Sequence, residues 1–294
     1  MKKEYIYAGA SIFLWSTTAT VSKLLLGSLN SLQVLTATTF FAFLTLLVLN
    51  IFKGNLSVLK RYTPKDFFDT AYIGFLGIFL YNVFLYTGIS SMDASQAFII
   101  NYLWPLMTVI FACIILKEKM TSRKTIAILL SFIGVIIVTT NGNLFSIQKS
   151  SLMGAVYCIL AAVSYGLYSV LNKQKSYIKS VCTMLYFLVS FLICLLYLFL
   201  SGKLYIPTFP QLAGFLWIGI GSNAIGTTTW ALALEHGDTS KISNLAYITP
   251  FLSLIWTTLI LKEDISLFSI VGLFVIISGI FIQLKDKKTS HTEK

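Results

Sequence analysis

The sequence predicts an all-α integral membrane protein, with ten transmembrane helices arranged as two inverted five-helix repeats. Its composition is the first reason, because 56% of the 294 residues are hydrophobic and only 11% are charged, whereas a soluble domain has roughly 25% charged residues. The second reason is that apolar runs of about twenty residues recur along the chain, each long enough to cross ~30 Å of hydrocarbon as a helix. The third is an internal duplication.

The duplication has a fixed offset. The block from Tyr72 to Gly134 aligns without a gap with the block from Trp217 to Gly279, 145 positions later. Pro105 then matches Pro250. We expect a first repeat at residues 1–141 and a second at 142–294. Five crossings in each repeat would make the second enter the membrane from the opposite side, as in many secondary transporters.

Ten apolar segments can be read in order. Lipid offers the backbone no hydrogen-bond partner, so each segment is expected to be a helix. The first follows Lys2 and Lys3 and is too long for the apolar region of a signal peptide, so we expect it to be retained. The segments are Tyr5–Leu26, Leu32–Phe52, Phe67–Gly88, Ala94–Leu116, Lys124–Thr140, Leu152–Leu171, Val181–Leu200, Leu212–Leu234, Ser240–Leu261 and Leu267–Leu284.

The net charge of +11 follows membrane topology rather than a nucleic-acid surface. With the amino terminus inside, 18 of the 22 Lys and Arg residues fall in inner stretches and 4 in outer ones. This asymmetry is the positive-inside rule. It predicts a multi-pass protein of the cell membrane with both termini cytoplasmic, and it places the linker 141–151 outside. No nucleic-acid partner is expected.

Acidic residues and histidines are confined to the ends of the predicted segments. Proton-driven carriers usually keep such a group inside the bilayer, so we expect transport to need no proton or sodium gradient. No metal-ligand motif or catalytic cluster is present, so we expect neither an enzyme nor a cofactor. The four cysteines, Cys113, Cys158, Cys182 and Cys194, lie within segments and form no C-x-x-C motif, so inert thiols are expected.

Aromatic and amide side chains occupy the predicted mid-membrane region instead. One such residue alone is more often core packing. A set spread over six segments, with Tyr247 in the ninth, favours a cavity in which ring faces stack on a planar, neutral or zwitterionic substrate. The candidate binding residues are Trp15, Tyr81, Asn101, Tyr102, Trp104, Tyr165, Tyr168 and Trp230.

The two prolines lie at matched positions within this region. Pro105 and Pro250 each remove the donor that would bond the carbonyl four residues earlier, at Asn101 and Ala246. A simple packing kink is the alternative for each proline alone. The symmetry of the pair favours matched weak points, where a carrier could bend or offer backbone oxygens.

Several motifs resemble a known family. The five-plus-five pattern, with a proline midway along the fourth segment and Lys117-Glu118 closing it, resembles the EamA-like branch of the drug/metabolite transporter superfamily. The segment Asn101–Pro105 (Asn-Tyr-Leu-Trp-Pro), together with Trp15-Ser16-Thr17, resembles the aromatic amino-acid exporter group. The resemblance implies a central cavity that includes Tyr81, Tyr102 and Trp104. The sixth segment departs from the exporters, because it carries Tyr165 and Tyr168 where they have tryptophan.

The residues and the resemblance together predict a monomeric exporter of small metabolites, chiefly aromatic and other neutral amino acids. Alternating access through one central cavity would carry the substrate across the lipid bilayer. The alternatives are an exporter of nucleosides, sugars or drugs, and a non-transporting membrane scaffold or sensor.

Overall fold

The computed structural model describes residues 3–117, 119–142, 149–175, 177–236 and 245–284. Within these ranges the regular structure is helical, and no strand forms. The helices are α1 (Lys3–Ser16), α2 (Thr18–Leu26), α3 (Ser31–Phe52), α4 (Pro64–Ser91), α5 (Ala94–Asn101), α6 (Trp104–Ile115), α7 (Ser122–Thr140), α8 (Lys149–Lys173), α9 (Lys179–Leu200), α10 (209–236), α11 (Thr249–Leu261) and α12 (Leu267–Leu284). Both termini, Glu118, most of the linker and the start of the predicted ninth segment lie outside the described residues.

Six stretches are long and apolar enough to cross a membrane. They are Ser31–Phe52, Pro64–Ser91, Ala94–Ile115, Ser122–Thr140, Ser151–Lys173 and Lys179–Leu200, and the shorter apolar helices Thr249–Leu261 and Leu267–Ile282 accompany them. The chain is therefore an integral multi-pass membrane protein.

Side-chain caps fix where two of these helices begin. Thr63 accepts a hydrogen bond from the amide of Asp66, whose carboxylate accepts one from the amide of Thr63, and Pro64 occupies the first turn. Asn30 and Gln33 form the same reciprocal box before α3. Such boxes satisfy amides that the first helical turn leaves unpaired. The box at Thr63 starts α4 at Pro64, three residues before the predicted segment Phe67–Gly88.

The first predicted segment is divided rather than continuous, since α1 ends at Ser16 and α2 begins at Thr18. Local hydroxyl groups account for the division. The hydroxyl of Ser16 donates to the carbonyl of Phe13, and that of Thr17 donates to the carbonyl of Leu14, both at 2.7 Å. Hydroxyls that bond back to the preceding turn compete with the helical backbone and bend it.

The fourth and ninth segments break where the prolines predicted it. Helix α5 ends at Asn101 and α6 begins at Trp104, whereas a short 3-10 turn, Ala246–Ile248, leads into α11. Both breaks lie immediately before a proline in the first turn of the next helix. The helix breaks predicted at the two prolines are thus confirmed, and a role for them in bending stays a prediction.

The third and eighth segments each contain a π-helical stretch. A π-helical stretch runs over Phe75–Leu80 within α4 and over Trp217–Gly226 within α10. Shifted by 145 positions, the first stretch falls inside the second. Short π stretches inside α-helices are rare and occur frequently at functional sites.

Each repeat exchanges its first helical segment with the other. Helices α1 and α2 pack against α10 and α11, whereas α8 packs against α4, α5 and α6. We call the set α4, α5, α6 and α8 the first bundle, and the set α1, α2, α10 and α11 the second bundle. Each bundle therefore contains helices from both repeats.

Helices α7 and α12 pack through glycines in a reciprocal way. A Cβ added to Gly134 would lie 2.8 Å from the carbonyl oxygen of Gly272, and one added to Gly279 would lie 2.8 Å from that of Ala127. Gly134 and Gly279 are equivalent in the repeat, and so are Ala127 and Gly272. Reciprocal contacts of this kind are what a twofold relation between the repeats requires.

We predict that Gly134→Ala destabilises the protein by about 1–3 kcal/mol, because the added methyl group meets backbone that cannot move aside. Thermal unfolding of the purified protein in detergent measures the effect. Gly9→Ala is the matched control, since a Cβ there would meet no atom within 4 Å. Equal melting temperatures for the two variants would contradict the close α7–α12 packing.

Candidate functional site

A tyrosine of the second repeat lies among aromatic residues of the first. The ring centroid of Tyr165, on α8, is 4.9 Å from that of Tyr81 and 5.1 Å from that of Trp104. Tyr168, one turn further along α8, lies 5.3 Å from Tyr165. These four residues with Asn101 are called the aromatic cluster below. Each tilted or edge-on ring pair is worth about 0.5–1.5 kcal/mol beyond the area it buries.

Asn101 places an amide at the edge of this cluster. Its side chain is 3% exposed, and its nitrogen donates to the hydroxyl of Tyr81 at 3.1 Å. The amide oxygen has no hydrogen-bond partner among the described residues. A buried acceptor without a partner is costly, so this oxygen could accept a hydrogen bond from a bound polar group.

A second aromatic group lies in the second bundle. The ring centroids of Trp15 and Trp230 are 5.3 Å apart, and the indole N–H of Trp15 donates to the carbonyl of Ser222 at 3.0 Å. Ser222 belongs to the π-helical stretch of α10. Its hydroxyl also lies 3.1 Å from that of Thr18. The tryptophan pair and the aromatic cluster thus each sit beside a π-helical stretch.

Tyr102 links the two repeats at the proline breaks. Its side chain is 6% exposed, and its hydroxyl donates to the carbonyl of Ala246 at 3.1 Å. This is the carbonyl that Pro250 was predicted to deprive of its helical donor. The amide of Thr249 also donates to this carbonyl, so the phenol from the first repeat adds a second hydrogen bond at the backbone break of the second.

The structure accordingly separates the eight sequence-predicted residues into three groups. Tyr81, Asn101, Trp104, Tyr165 and Tyr168 form the aromatic cluster, Trp15 and Trp230 form a pair, and Tyr102 bonds across the breaks. A role in binding a substrate remains a proposal for all of them. Aromatic faces and hydrogen-bonding groups such as these can hold a planar molecule in place.

The sequence analysis did not identify two tryptophans whose indole groups donate hydrogen bonds at the break in the first segment. The indole of Trp217 donates to the hydroxyl of Thr17 at 2.8 Å, and that of Trp256 donates to the hydroxyl of Ser16 at 2.9 Å. Phe13 packs edge-on against both rings. Trp217 aligns with Tyr72, so the repeat alone gave no signal that it supports another helix.

A lateral pocket of about 290 Å³ lies away from these residues, between α3, α9 and the start of α10. Its walls are mostly apolar and include Phe40, Phe41 and Phe191. None of the eight predicted residues lines it. We therefore place the candidate site at the aromatic cluster and not at this pocket.

The fold defines a helical, multi-pass membrane protein built from two exchanged repeats. The model of the EamA-like transporter family matches the chain twice, over residues 2–140 and 152–284. The chain belongs to the EamA-like transporter family.

Similar proteins are mostly transporters without an assigned substrate. An uncharacterized transporter of Clostridium kluyveri is 26% identical and aligns over 100% of this chain and 97% of its own length. The aromatic amino acid exporter YddG of Ancylobacter novellus is 24% identical over 61% of this chain and 63% of its own. A crystal structure with 20% identity has the same fold, with a TM-score of 0.71, and the match covers 100% of this chain and 99% of that one.

We predict that Tyr102→Phe lowers the free energy of unfolding by about 0.5–1.5 kcal/mol, because it removes the hydroxyl that bonds the Ala246 carbonyl. Chemical or thermal unfolding in detergent measures the loss. Tyr197→Phe, on the exposed face of α9, serves as the matched control and should melt like the wild type. A Tyr102→Phe protein as stable as this control would show that the bond between the repeats contributes nothing.

Proposed function

We propose that this protein exports small neutral or zwitterionic metabolites, chiefly aromatic and other neutral amino acids, by alternating access through a central cavity lined by the aromatic cluster. Membership of a transporter family supports a carrier rather than an enzyme. The similarity to an aromatic amino acid exporter supports the substrate class.

The observation that carries the proposal is the position of Tyr165. Its ring comes from the second repeat and lies between Tyr81 and Trp104 of the first. Transporters built from repeats bind their substrates where the repeats meet. A planar substrate would replace some ring-to-ring contacts with contacts of the same kind, and the free oxygen of Asn101 would accept a hydrogen bond from its polar group, such as an ammonium.

The architecture that we propose has ten crossings, in two inverted repeats at residues 1–141 and 142–294. The reciprocal α7–α12 packing supports a twofold relation between the repeats. The positive-inside distribution supports cytoplasmic termini. In this orientation α1 begins inside, and the end of α2 that carries Lys23 is outside.

Orientation can be tested with single cysteines in a variant that lacks the four native ones. An impermeant thiol reagent added to intact cells should label Asn143→Cys, in the linker, and should leave Lys287→Cys unlabelled until the membrane is opened. The positive-inside bias is the physical reason. Labelling of both positions from outside would refute the proposed topology.

Substrate recognition can be tested at Trp104. If its ring stacks on the substrate, Trp104→Ala should weaken the interaction with aromatic substrates by on the order of 1 kcal/mol, or severalfold in affinity. Trp104→Phe should keep most of the interaction, because a ring face remains. The measurement is the ratio of phenylalanine to threonine transport in proteoliposomes, normalised to the amount of reconstituted protein.

The control for this experiment is Phe132→Ala, which removes an exposed ring from α7. It should leave the ratio unchanged. An unchanged ratio in Trp104→Ala would assign Trp104 to packing alone. A screen of labelled nucleosides, sugars and drugs in the same vesicles covers the other exporters, and a protein that moves none of these compounds would be a scaffold or sensor.

A further inference from the structure

Two charged side chains of the second bundle bind the loop between α4 and α5 of the first bundle. The ammonium group of Lys23, near the end of α2, donates to the carbonyls of Ile89 at 2.6 Å and Met92 at 2.5 Å. The carboxylate of Glu263, which follows α11, accepts hydrogen bonds from the amides of Ala94 at 2.8 Å and Ser95 at 3.0 Å. All four hydrogen bonds cross the boundary between the bundles.

The charges match the ends of the helices that they bind. Lys23 reaches carbonyls at and just beyond the last turn of α4, where the helix dipole is negative, and Glu263 reaches the first amides of α5, where it is positive. Hydrogen bonds to charged groups are stronger than neutral ones. Asp93, which precedes α5, makes no side-chain cap of its own, so Glu263 from the other repeat takes over that role.

The backbone at Lys262 directs Glu263 toward α5. Lys262 has a left-handed conformation, with φ of 57°, that ends α11, and Lys117 at the equivalent position has φ of 56°. A non-glycine residue in this region is uncommon. The repeated Lys-Glu pair is therefore a sharp turn followed by a carboxylate, which the sequence alone showed only as two charges that close a segment.

Two equivalent lysines at opposite ends of the molecule differ in exposure. The first segments of the repeats align with an offset of 150, which matches Trp15 with Tyr165 and Lys23 with Lys173. Lys173 is exposed, whereas Lys23 is half-buried. The ion pair near Lys173 joins Lys175 to Asp69 of α4, so it connects α4 to the chain that directly follows α8, on the same side of the boundary. Among the residues that the structure describes, the charged hydrogen bonds across the boundary between the bundles thus lie at the Lys23 end; residues 118 and 237–240, which correspond to Glu263 and to the α4–α5 loop, are outside that part of the chain.

We propose that Lys23 and Glu263 form a latch that holds the two bundles together at the outer end and so closes the outer side of the transport path. The inference rests on the proposed function, because it assigns these residues to the closed outer side of an alternating-access carrier. Opening outward would separate Lys23 and Glu263 from the α4–α5 loop. The two residues act by positioning helices and do not touch the substrate.

The electrostatic surroundings of the latch fit this role. Burial and the negative charge of Glu263 raise the pKa of Asp93, whereas the positive charge of Lys23 lowers it. Asp93, Glu263 and Lys23 therefore interact electrostatically around the α4–α5 loop. Removing the charge of Glu263 or of Lys23 is expected to weaken the hydrogen bonds that hold the loop.

The latch can be tested first by hydrogen exchange of the purified protein. Glu263→Gln keeps the shape of the side chain but removes its charge, so the amides of Ala94 and Ser95 should exchange about tenfold faster. Asp264→Asn is the matched control, because this neighbouring carboxylate is exposed and should leave their exchange unchanged. Unchanged exchange in Glu263→Gln would overturn the latch.

Access from outside provides the second test. Ser95 is 3% exposed, so Ser95→Cys in a background without the native cysteines should react slowly with an impermeant thiol reagent added outside. Adding Glu263→Gln or Lys23→Met should raise the labelling rate about tenfold. Lys203→Met, which neutralises another predicted outer lysine, should not. Faster amide exchange with unchanged labelling would show a helix cap only and would also overturn the latch.

Transport measured in parallel separates this inference from the proposed function. If wild-type vesicles transport no amino acid but the two variants are labelled faster, the substrate assignment fails and the latch stands. If the wild type transports amino acids and the variants are labelled like the wild type, the latch fails and the assignment stands.

Discussion

The structure depends on one constraint, which is that a backbone polar group inside a bilayer must find its partner within the protein. Two of the three helix breaks described above have a side chain from a distant helix bonded to them. Tyr102 bonds the carbonyl of Ala246, and Trp217 and Trp256 bond the hydroxyls at the break between α1 and α2. In every one of these cases the partner belongs to the other repeat.

The consequence is that these helix breaks lie where the two repeats contact each other. A carrier needs places where helices bend, and a membrane makes unpaired bends costly. Here the groups at the breaks are bonded by individual hydrogen bonds from phenol and indole groups. The aromatic cluster lies at the same boundary, so a movement of one bundle against the other would change both the breaks and the rings around Tyr165.

The sequence predicted the features that depend on neighbouring residues or that occur in both repeats. The apolar lengths predicted helices, and the matched prolines predicted the breaks before Pro105 and Pro250 because a missing amide acts on its own helix. The division at Thr17 was not predicted, since no proline or glycine marks it and the signal is only a Ser-Thr-Thr run. The exchange of α1, α2 and α8 between bundles was also beyond reach, because it depends on which distant helix offers a matching face.

The candidate site shows the same limit. Its residues were found by type and depth, and five of the eight meet around Tyr165. The sequence did not predict that Trp15 pairs with Trp230 apart from the other rings. That prediction would need the position of the π-helical stretch that contains Ser222, and such stretches have no clear sequence signature. The contact of Glu263 with α5 depends on the left-handed backbone at Lys262. A pattern of charges in the sequence does not reveal that conformation.

The exchange of first segments between the repeats has a consequence for synthesis. The first bundle is complete once α8 has left the ribosome, at residue 173, because α4, α5 and α6 precede it. The second bundle cannot form until α11 is made, at residue 261. During that interval α1 and α2 lack the complete set of contacts from α10 and α11, and the hydroxyl of Ser16 is not yet bonded by Trp256. The earliest helices to be inserted are thus among the last to complete their packing, and premature chain termination would leave them without α10 and α11 for membrane quality control to detect.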